Sequence, residues 1–271
     1  RIDKHTRRMY KLKTLDVWDT LLRRKCHPDF IKLSAARHLQ LRFGQSLADG
    51  FPDHWAIFRE RCQIEGELAR AASRQGSDDE YTLHAVLDHL VRRVVTAPNL
   101  NVAQLVDELV AAELALEKAN TFPDPGCRDV IGQYPAERTL FLSDFYMPAS
   151  MLNELLQHHG LDDVAPDGIS SCDIRLNKRS GQLFKHVHEA FALAPEHHVH
   201  IGDNAHSDVS IPGAIGITSV HYLPDEQHAD RELRESLFAD RAVFFGHLEQ
   251  IIAIKVEEAL GSRSDNARAA F

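Results

Sequence analysis

Cysteine is scarce in this chain, and its four copies, Cys26, Cys62, Cys127 and Cys172, stand far apart with no CxxC pair. A disulfide framework or a zinc site is therefore not expected, and a reducing cytoplasm fits. Aromatics make up only 7% of the residues. No apolar run approaches the roughly eighteen residues a membrane span needs and no signal peptide opens the chain, so no membrane insertion is expected. Excess positive charge is lacking too. Against 31 Lys and Arg stand 40 Asp and Glu, and the net charge of −9 makes a nucleic-acid backbone an unsuitable partner. An initiator Met is missing as well. The chain opens RIDKHTRRMYK, which reads as a processed terminus or a domain cut from a longer polypeptide.

What is there has three textures. Residues 12–18 read as a buried strand. From 28 to 120 the periodicity is helical, over 29–43, 53–74, 82–95 and 102–119, with the polar breaks QGSDDE and TAPN between helices. After Pro123, short apolar runs such as RTLFLSD, GISSC, HVHIGD and ITSVHYL alternate with amphipathic segments. That alternation implies a doubly wound parallel sheet with helices on both faces, an α/β fold. The expected organisation is a core of residues 12–27 and 121–222, an inserted helical cap of 28–120, and a C-terminal helical extension and tail over 223–271.

Ligands of open parallel sheets bind outside the carboxyl ends of the strands. Asp16 ends the first strand, Ser143 and Asp144 the second, and Gly202, Asp203 and Asn204 the fourth, with Asp208 opening the helix that follows. Lys178 lies just beyond the third. Carboxylates, a hydroxyl and an ammonium in one crevice suit phosphoryl transfer. A carboxylate can attack phosphorus and form an acyl-phosphate. Asp16, Asp203 and Asp208 offer the hard oxygen ligands that magnesium prefers. Ser143 can donate to a phosphoryl oxygen and Lys178 can neutralise charge, with Asp144 and Arg23 as further substrate contacts.

These motifs, in this order, resemble the haloacid dehalogenase-like (HAD) superfamily. LDVWDTL is similar to its first motif and LFLSD to its second; KRSGQLF carries Lys178 six residues before Phe184, and IGDNAHSD is similar to the fourth, GDxxxxD. The resemblance spans roughly residues 12–222 and implies a Rossmann-like core with Asp16 as nucleophile. It also implies a Mg2+ site of Asp16, Asp203, Asp208 and the main-chain carbonyl of Trp18, and a small phosphorylated substrate. More narrowly, DVWDTLLRR, LSDFYMP, RLNKRSGQLFK and HIGDNAHSD look like a bacterial branch encoded beside, or fused to, polysaccharide glycosyltransferases. A sugar phosphate substrate and a fused or associated glycosyltransferase follow from that likeness alone.

One position departs. Two residues after the nucleophile, superfamily phosphatases usually carry the aspartate that protonates the leaving group and later activates water; here it is Trp18. Three readings stay open. The first is a magnesium-dependent phosphatase whose acid/base is Asp19, Asp144 or a cap residue, Asp19 needing a turn beginning at Trp18 to reach the site. The second is a dehalogenase, whose leaving halide needs no proton. The third is a module that binds a phosphorylated ligand or a partner domain with little or no turnover.

The remaining candidates have plainer readings. Ser143 could cap the following helix, and Arg23 and Arg24 either face the substrate or lie in a solvated loop. Lys185, the rival of Lys178, falls within an expected helix. The histidines show no zinc spacing, and His158, His159, His186, His188, His197, His198 and His200 are expected at or near the surface. Glu113 and Glu117 read as a solvated stripe, and Leu105, Leu109, Ala112 and Leu116 as the packed face of the same helix.

Overall fold

Five of the six residues of β1 (Tyr10–Leu15) are buried, as a strand covered on both faces requires. The computed structural model describes residues 9–240. β4 (Ala136–Ser143) and β6 (His198–Gly202) pair with β1 on either side, β5 (Gly168–Ser170) adds to β4, and β7 (Thr218–His221) to β6. All pairings are parallel and the order is β5-β4-β1-β6-β7. The chain therefore runs outward from β1 in one direction, returns, and continues in the other. The point where that order reverses lies at the end of β1, immediately before Asp16.

Between β1 and β4 the chain leaves the sheet for four helices: α1 (Pro28–Phe43), α2 (His54–Arg74), α3 (Leu83–Val94) and α4 (Val102–Asn120). Side chains of Asp53, Thr82 and Asn101 accept from the first-turn amides of Ala56, Ala85 and Gln104, so α2, α3 and α4 start where their caps dictate. Leu83, Val86, Leu87, Leu90, Val91 and Val94 form the buried stripe of α3, and they pack with Leu39, Ile57, Ile64, Leu105 and Leu109 into a core of the cap's own. Tyr146 and Met147, just past β4, close that core from below.

On α4, Leu105 and Leu109 are buried as expected, but in the second half of the helix the buried face shifts by one residue. Ala112 is exposed, whereas Glu113 and Glu117 are buried. Their charge is matched. The buried Arg61 guanidinium donates to both Glu113 oxygens at 2.7 and 2.8 Å, and Arg24 to both Glu117 oxygens at 2.9 and 3.1 Å. Paired forks of this kind offset the desolvation that would otherwise expel two carboxylates. The solvated-stripe reading is corrected: the partners come from α2 and from residue 24, far off in sequence.

Two elements have no strand signature in the sequence. β2 (Leu22–Arg24) and β3 (Thr121–Pro123) pair antiparallel, Leu22 with Pro123 and Arg24 with Thr121, so the outgoing and returning chains cross side by side between sheet and cap. After β3 come α5 (Cys127–Gly132), β4, α6 (Ala149–His158), β5, a single turn α7 (Ser171–Ile174), α8 (Gln182–Ala190), β6, a π-helical turn at Ala205–Ser210, α9 (Ile211–Ala214) and β7. Residues 9–224 belong to one compact unit; a second begins at Asp225, and its described part, residues 225–240, is helical. The rest of the expected C-terminal extension and the tail lie outside the described residues. Among those described, no helix is long and apolar enough to cross a membrane.

Candidate active site

Asp16 follows the last residue of β1 and is 6% exposed. Its Oδ1 accepts from Lys178 Nζ at 2.5 Å, and the same ammonium donates to Asp208 Oδ1 at 2.6 Å. Lys185, by contrast, is exposed on α8. Ligand atoms of Asp16, Asp203 and Asp208 all lie within 4.8 Å of one another, the one group among the described residues able to hold a metal ion. Three carboxylates thus cluster together, two of them bound to one buried ammonium. Burial pushes the Asp16 carboxyl well above its ordinary range, against the pull of Lys178, with Asp208 and Asp203 adding to the rise. Burial disfavours the charged Lys178, yet Asp16, Asp208 and Asp144 outweigh it and raise its pKa. Burial likewise disfavours ionised Asp208, but Lys178 and His200 hold it below the usual carboxylate range. With all three ionised the cluster carries a net −2, the charge a divalent cation balances, and its donors are hard oxygens.

Neighbouring atoms fit that use. Gly202 permits the close seat of Asp208: a Cβ there would lie 2.4 Å from the Asp208 carboxyl. The π-helical turn carrying Asp208 is capped by the Asn204 side chain, which accepts from the amides of His206 and Ser207, so Asp208 is not the cap. No hydrogen bond to the Trp18 carbonyl occurs among the described residues, where the local amides of Leu21 and Leu22 donate to Val17 and that of Asp19 to Leu22.

Ser143 is fully buried at the end of β4, and its Oγ has no hydrogen-bond partner among the described residues. It does not cap α6, which starts only at Ala149 after Pro148. A buried donor left unsatisfied is uncommon, and a ligand oxygen is the natural recipient. Asp144 uses its carboxylate locally, accepting from the amides of Lys178 at 2.8 Å and Arg179 at 3.4 Å, and so holds the loop that presents the lysine. Thr20, unnoticed in the sequence, donates to Asp16 Oδ2 at 3.5 Å. His198 and His200, expected near the surface, are completely buried. His200 Nε2 lies 3.0 Å from Asp208 Oδ1.

This arrangement, on a five-stranded parallel sheet with a helical insert after the first strand, decides the architecture. The fold is that of the haloacid dehalogenase-like hydrolases. A 2-haloacid dehalogenase from Pseudomonas syringae pv. tomato DC3000 superposes with a TM-score of 0.54 at 16% identity, over 79% of this chain and 86% of that one. The magnesium-bound HAD-family protein YfnB from Bacillus subtilis gives 0.49 at 18% identity, covering 80% and 91%. L-2-haloacid dehalogenase from Xanthobacter autotrophicus gives 0.47 at 17%, covering 83% and 82%. No protein-family model and no curated protein matches the chain. The first of these superpositions shows the haloacid dehalogenase-like fold alone, and at 16% identity it leaves the chemistry to the site.

At the position of the usual acid/base, Trp18 is clamped. Phe145 packs on it with ring centroids 4.6 Å apart, and the Arg24 guanidinium carbon sits 3.5 Å from its ring centroid. Asp19 takes the left-handed backbone (φ 57°) inside the turn that the sequence argument required. Its Oδ1 lies 3.8 Å from Arg23 Nη1. Arg23 is not in a solvated loop: it is buried, with Nε donating to Asp124 Oδ2 at 2.5 Å, while its two terminal nitrogens have no hydrogen-bond partner among the described residues.

A cap segment closes on the lysine loop. Asp78 Oδ2 accepts from the Asn177 amide at 2.7 Å and from Ser180 Oγ at 2.5 Å, and the Asp78 amide donates to the Arg175 carbonyl. Asn177 Nδ2 donates to Asp79 and to Glu80, each at 3.0 Å, and Ser171 Oγ donates to Glu80 at 2.6 Å. Burial raises the Glu80 carboxyl pKa, partly countered by Ser171 and Asn177.

Proposed function

We propose that the protein is a magnesium-dependent phosphate-ester hydrolase acting through an aspartyl-phosphate on Asp16. The observation that carries this reading is the cluster of Asp16, Asp203 and Asp208, two of which bind the buried Lys178 ammonium, together with a buried Ser143 hydroxyl that has no partner among the described residues. Asp16, Asp203, Asp208 and the Trp18 carbonyl would hold the ion. When bound, it supplies charge neutralisation between phosphate and carboxylates that would otherwise repel.

Ser143 and Lys178 clamp the phosphoryl oxygens, and the Asp16 carboxylate attacks phosphorus as the ester oxygen departs with the bonding pair. Water then attacks the acyl-phosphate, returning the Asp16 carboxylate and releasing inorganic phosphate. The proton for the leaving oxygen comes from Asp19, whose turn gives its carboxylate a route that a straight strand denies. A sugar phosphate handled beside a polysaccharide glycosyltransferase is the substrate class that the narrower sequence resemblance suggests. Halide release needs no cation, so the dehalogenase reading leaves the Asp16, Asp203 and Asp208 cluster without an ion to hold.

A second reading rests on Trp18. Wedged between Phe145 and Arg24, it makes a wall where a carboxylate is needed, which favours a module that binds a phosphorylated ligand and turns over slowly or not at all. An activated aryl phosphate, assayed with and without Mg2+ beside Asp16→Asn, separates the two. Sustained Mg2+-dependent release that vanishes in the variant supports the hydrolase; a stoichiometric burst that stalls leaves Asp16 as nucleophile without deacylation. No release at all moves the assignment to the binding module.

A further inference from the structure

A line of buried polar side chains that the proposed reaction does not use runs from Asp208 along one face of the sheet to α8. His200 Nε2 is 3.0 Å from Asp208 Oδ1, and His200 Nδ1 is 2.7 Å from Thr14 Oγ1. Thr14 Oγ1 is also 2.7 Å from His198 Nε2, and His198 Nδ1 is 2.9 Å from His188 Nε2 on α8. The register explains the alignment. Thr14 pairs with His200 across β1 and β6, and Leu12 with His198. Residues two apart on a strand share a face, so the threonine hydroxyl sits between the two imidazoles.

Donor and acceptor rules orient the whole line. An ionised Asp208 only accepts, so His200 must carry its proton on Nε2. The neutral ring then accepts at Nδ1, and the Thr14 hydroxyl must donate there. With its one proton spent, that hydroxyl accepts from His198 Nε2–H, and His198 Nδ1 accepts from His188 Nε2–H. Every hydrogen bond points toward the carboxylate. At Asp208, Oδ1 receives both His200 and Lys178, while among the described residues Oδ2 receives only the Asn204 amide, at 3.0 Å. Two lone pairs per oxygen leave Oδ2 as the oxygen with capacity for a cation.

We propose that His200, Thr14 and His198 are positioning residues for Asp208, a one-way chain of donated hydrogen bonds that fixes its rotamer and presents Oδ2 to the cation. The inference rests on the reading of Asp208 as a cation ligand. Outer-shell groups that hold ligand carboxylates matter nearly as much as the ligands.

Thr14→Val is the telling substitution: same shape, same preference for a strand, no hydroxyl. Thr14→Ser restores the hydroxyl. The first readout needs no metal. Long-range 15N–1H NMR of the full chain should show His200 and His198 neutral and protonated on Nε2, with His200 losing that fixed tautomer in Thr14→Val. The second is Mn2+ titration followed by EPR. Affinity should fall about tenfold in Thr14→Val and return to within about twofold in Thr14→Ser, with circular dichroism unchanged. His200 found protonated on Nδ1 in the unsubstituted protein overturns the chain. Undiminished Mn2+ affinity in Thr14→Val overturns the positioning role alone. Failure of the unsubstituted protein to bind Mn2+ overturns the cation reading of Asp208 and the role built on it.

Discussion

The guanidinium of Arg24 lies on the ring of Trp18, 3.5 Å from its centroid, and is held there by a two-point ion pair with Glu117 of the cap. Trp18 is therefore fixed from both sides, by Arg24, which is tied to the cap, and by Phe145, which follows β4.

Replacing Trp18 by Asp tests whether the proton transfer assigned above to Asp19 limits the rate. If Asp16 forms an acyl-phosphate, Trp18→Asp should raise steady-state aryl phosphate hydrolysis about 100-fold or more, within the usual span of general acid–base help. It should also lower stability by roughly 1–3 kcal/mol, since a half-buried ring is lost. Unchanged turnover, with the burst amplitude retained, would mean that another step is limiting.

Arg61 anchors the interior of the cap. Arg61→Met preserves much of the side-chain bulk but leaves Glu113 buried without its fork, which should cost about 3–5 kcal/mol in urea unfolding. The double variant Arg61→Met/Glu113→Gln should recover much of that loss. A loss under about 1 kcal/mol in the single variant would show that water or Tyr146 suffices for Glu113.

Acid should destabilise the fold through its buried imidazoles. Burial, with His200 and His188 nearby, lowers the His198 pKa to about 2. Below pH 6.5 the unfolded chain gains a proton that the folded one refuses. This contribution is complete above 6.5 and is lost as pH falls from there toward 2, at about 1.4 kcal/mol per pH unit. His198→Asn should flatten the dependence of unfolding free energy on pH between 7 and 5 by about one proton. An identical slope would assign the acid sensitivity to other groups.

Gly202→Ala places a methyl group where the Asp208 carboxyl sits, 2.4 Å away. The strand itself accepts alanine, so secondary structure should persist while Mn2+ affinity drops about tenfold or more, measured by EPR. Retained affinity would show that Asp208 can shift without consequence, and would weaken its assignment as a ligand.

Much of this architecture could be read from residues alone. The four cap helices follow the expected spans to within about two residues, because capping side chains and apolar periodicity are local signals. Strand ends located Asp16, Ser143 and Asp203, and the six-residue spacing to Phe184 favoured Lys178 over Lys185. The misreadings share a cause. HVHIG alternates like a half-exposed strand, yet β6 is an interior strand covered on both sides, so its histidines had to find partners inside. Glu113 and Glu117 lie on the inner face of α4 because Arg61 and Arg24 wait there, and no short window contains both halves of those pairs. The β2–β3 ribbon is three residues a side and includes Pro123, too brief for any periodicity to register.

The contacts of residues 78–80 with the loop around Asn177 carry one more implication. The same hydrogen bonds that fasten the cap also brace the loop from which Lys178 reaches Asp16. Asn177 is the neighbour of Lys178, and its amide and side chain are spent on Asp78, Asp79 and Glu80. The placing of the ammonium against Asp16 and Asp208 is therefore mechanically coupled to the seating of this cap segment, two parts of the chain about a hundred residues apart in sequence.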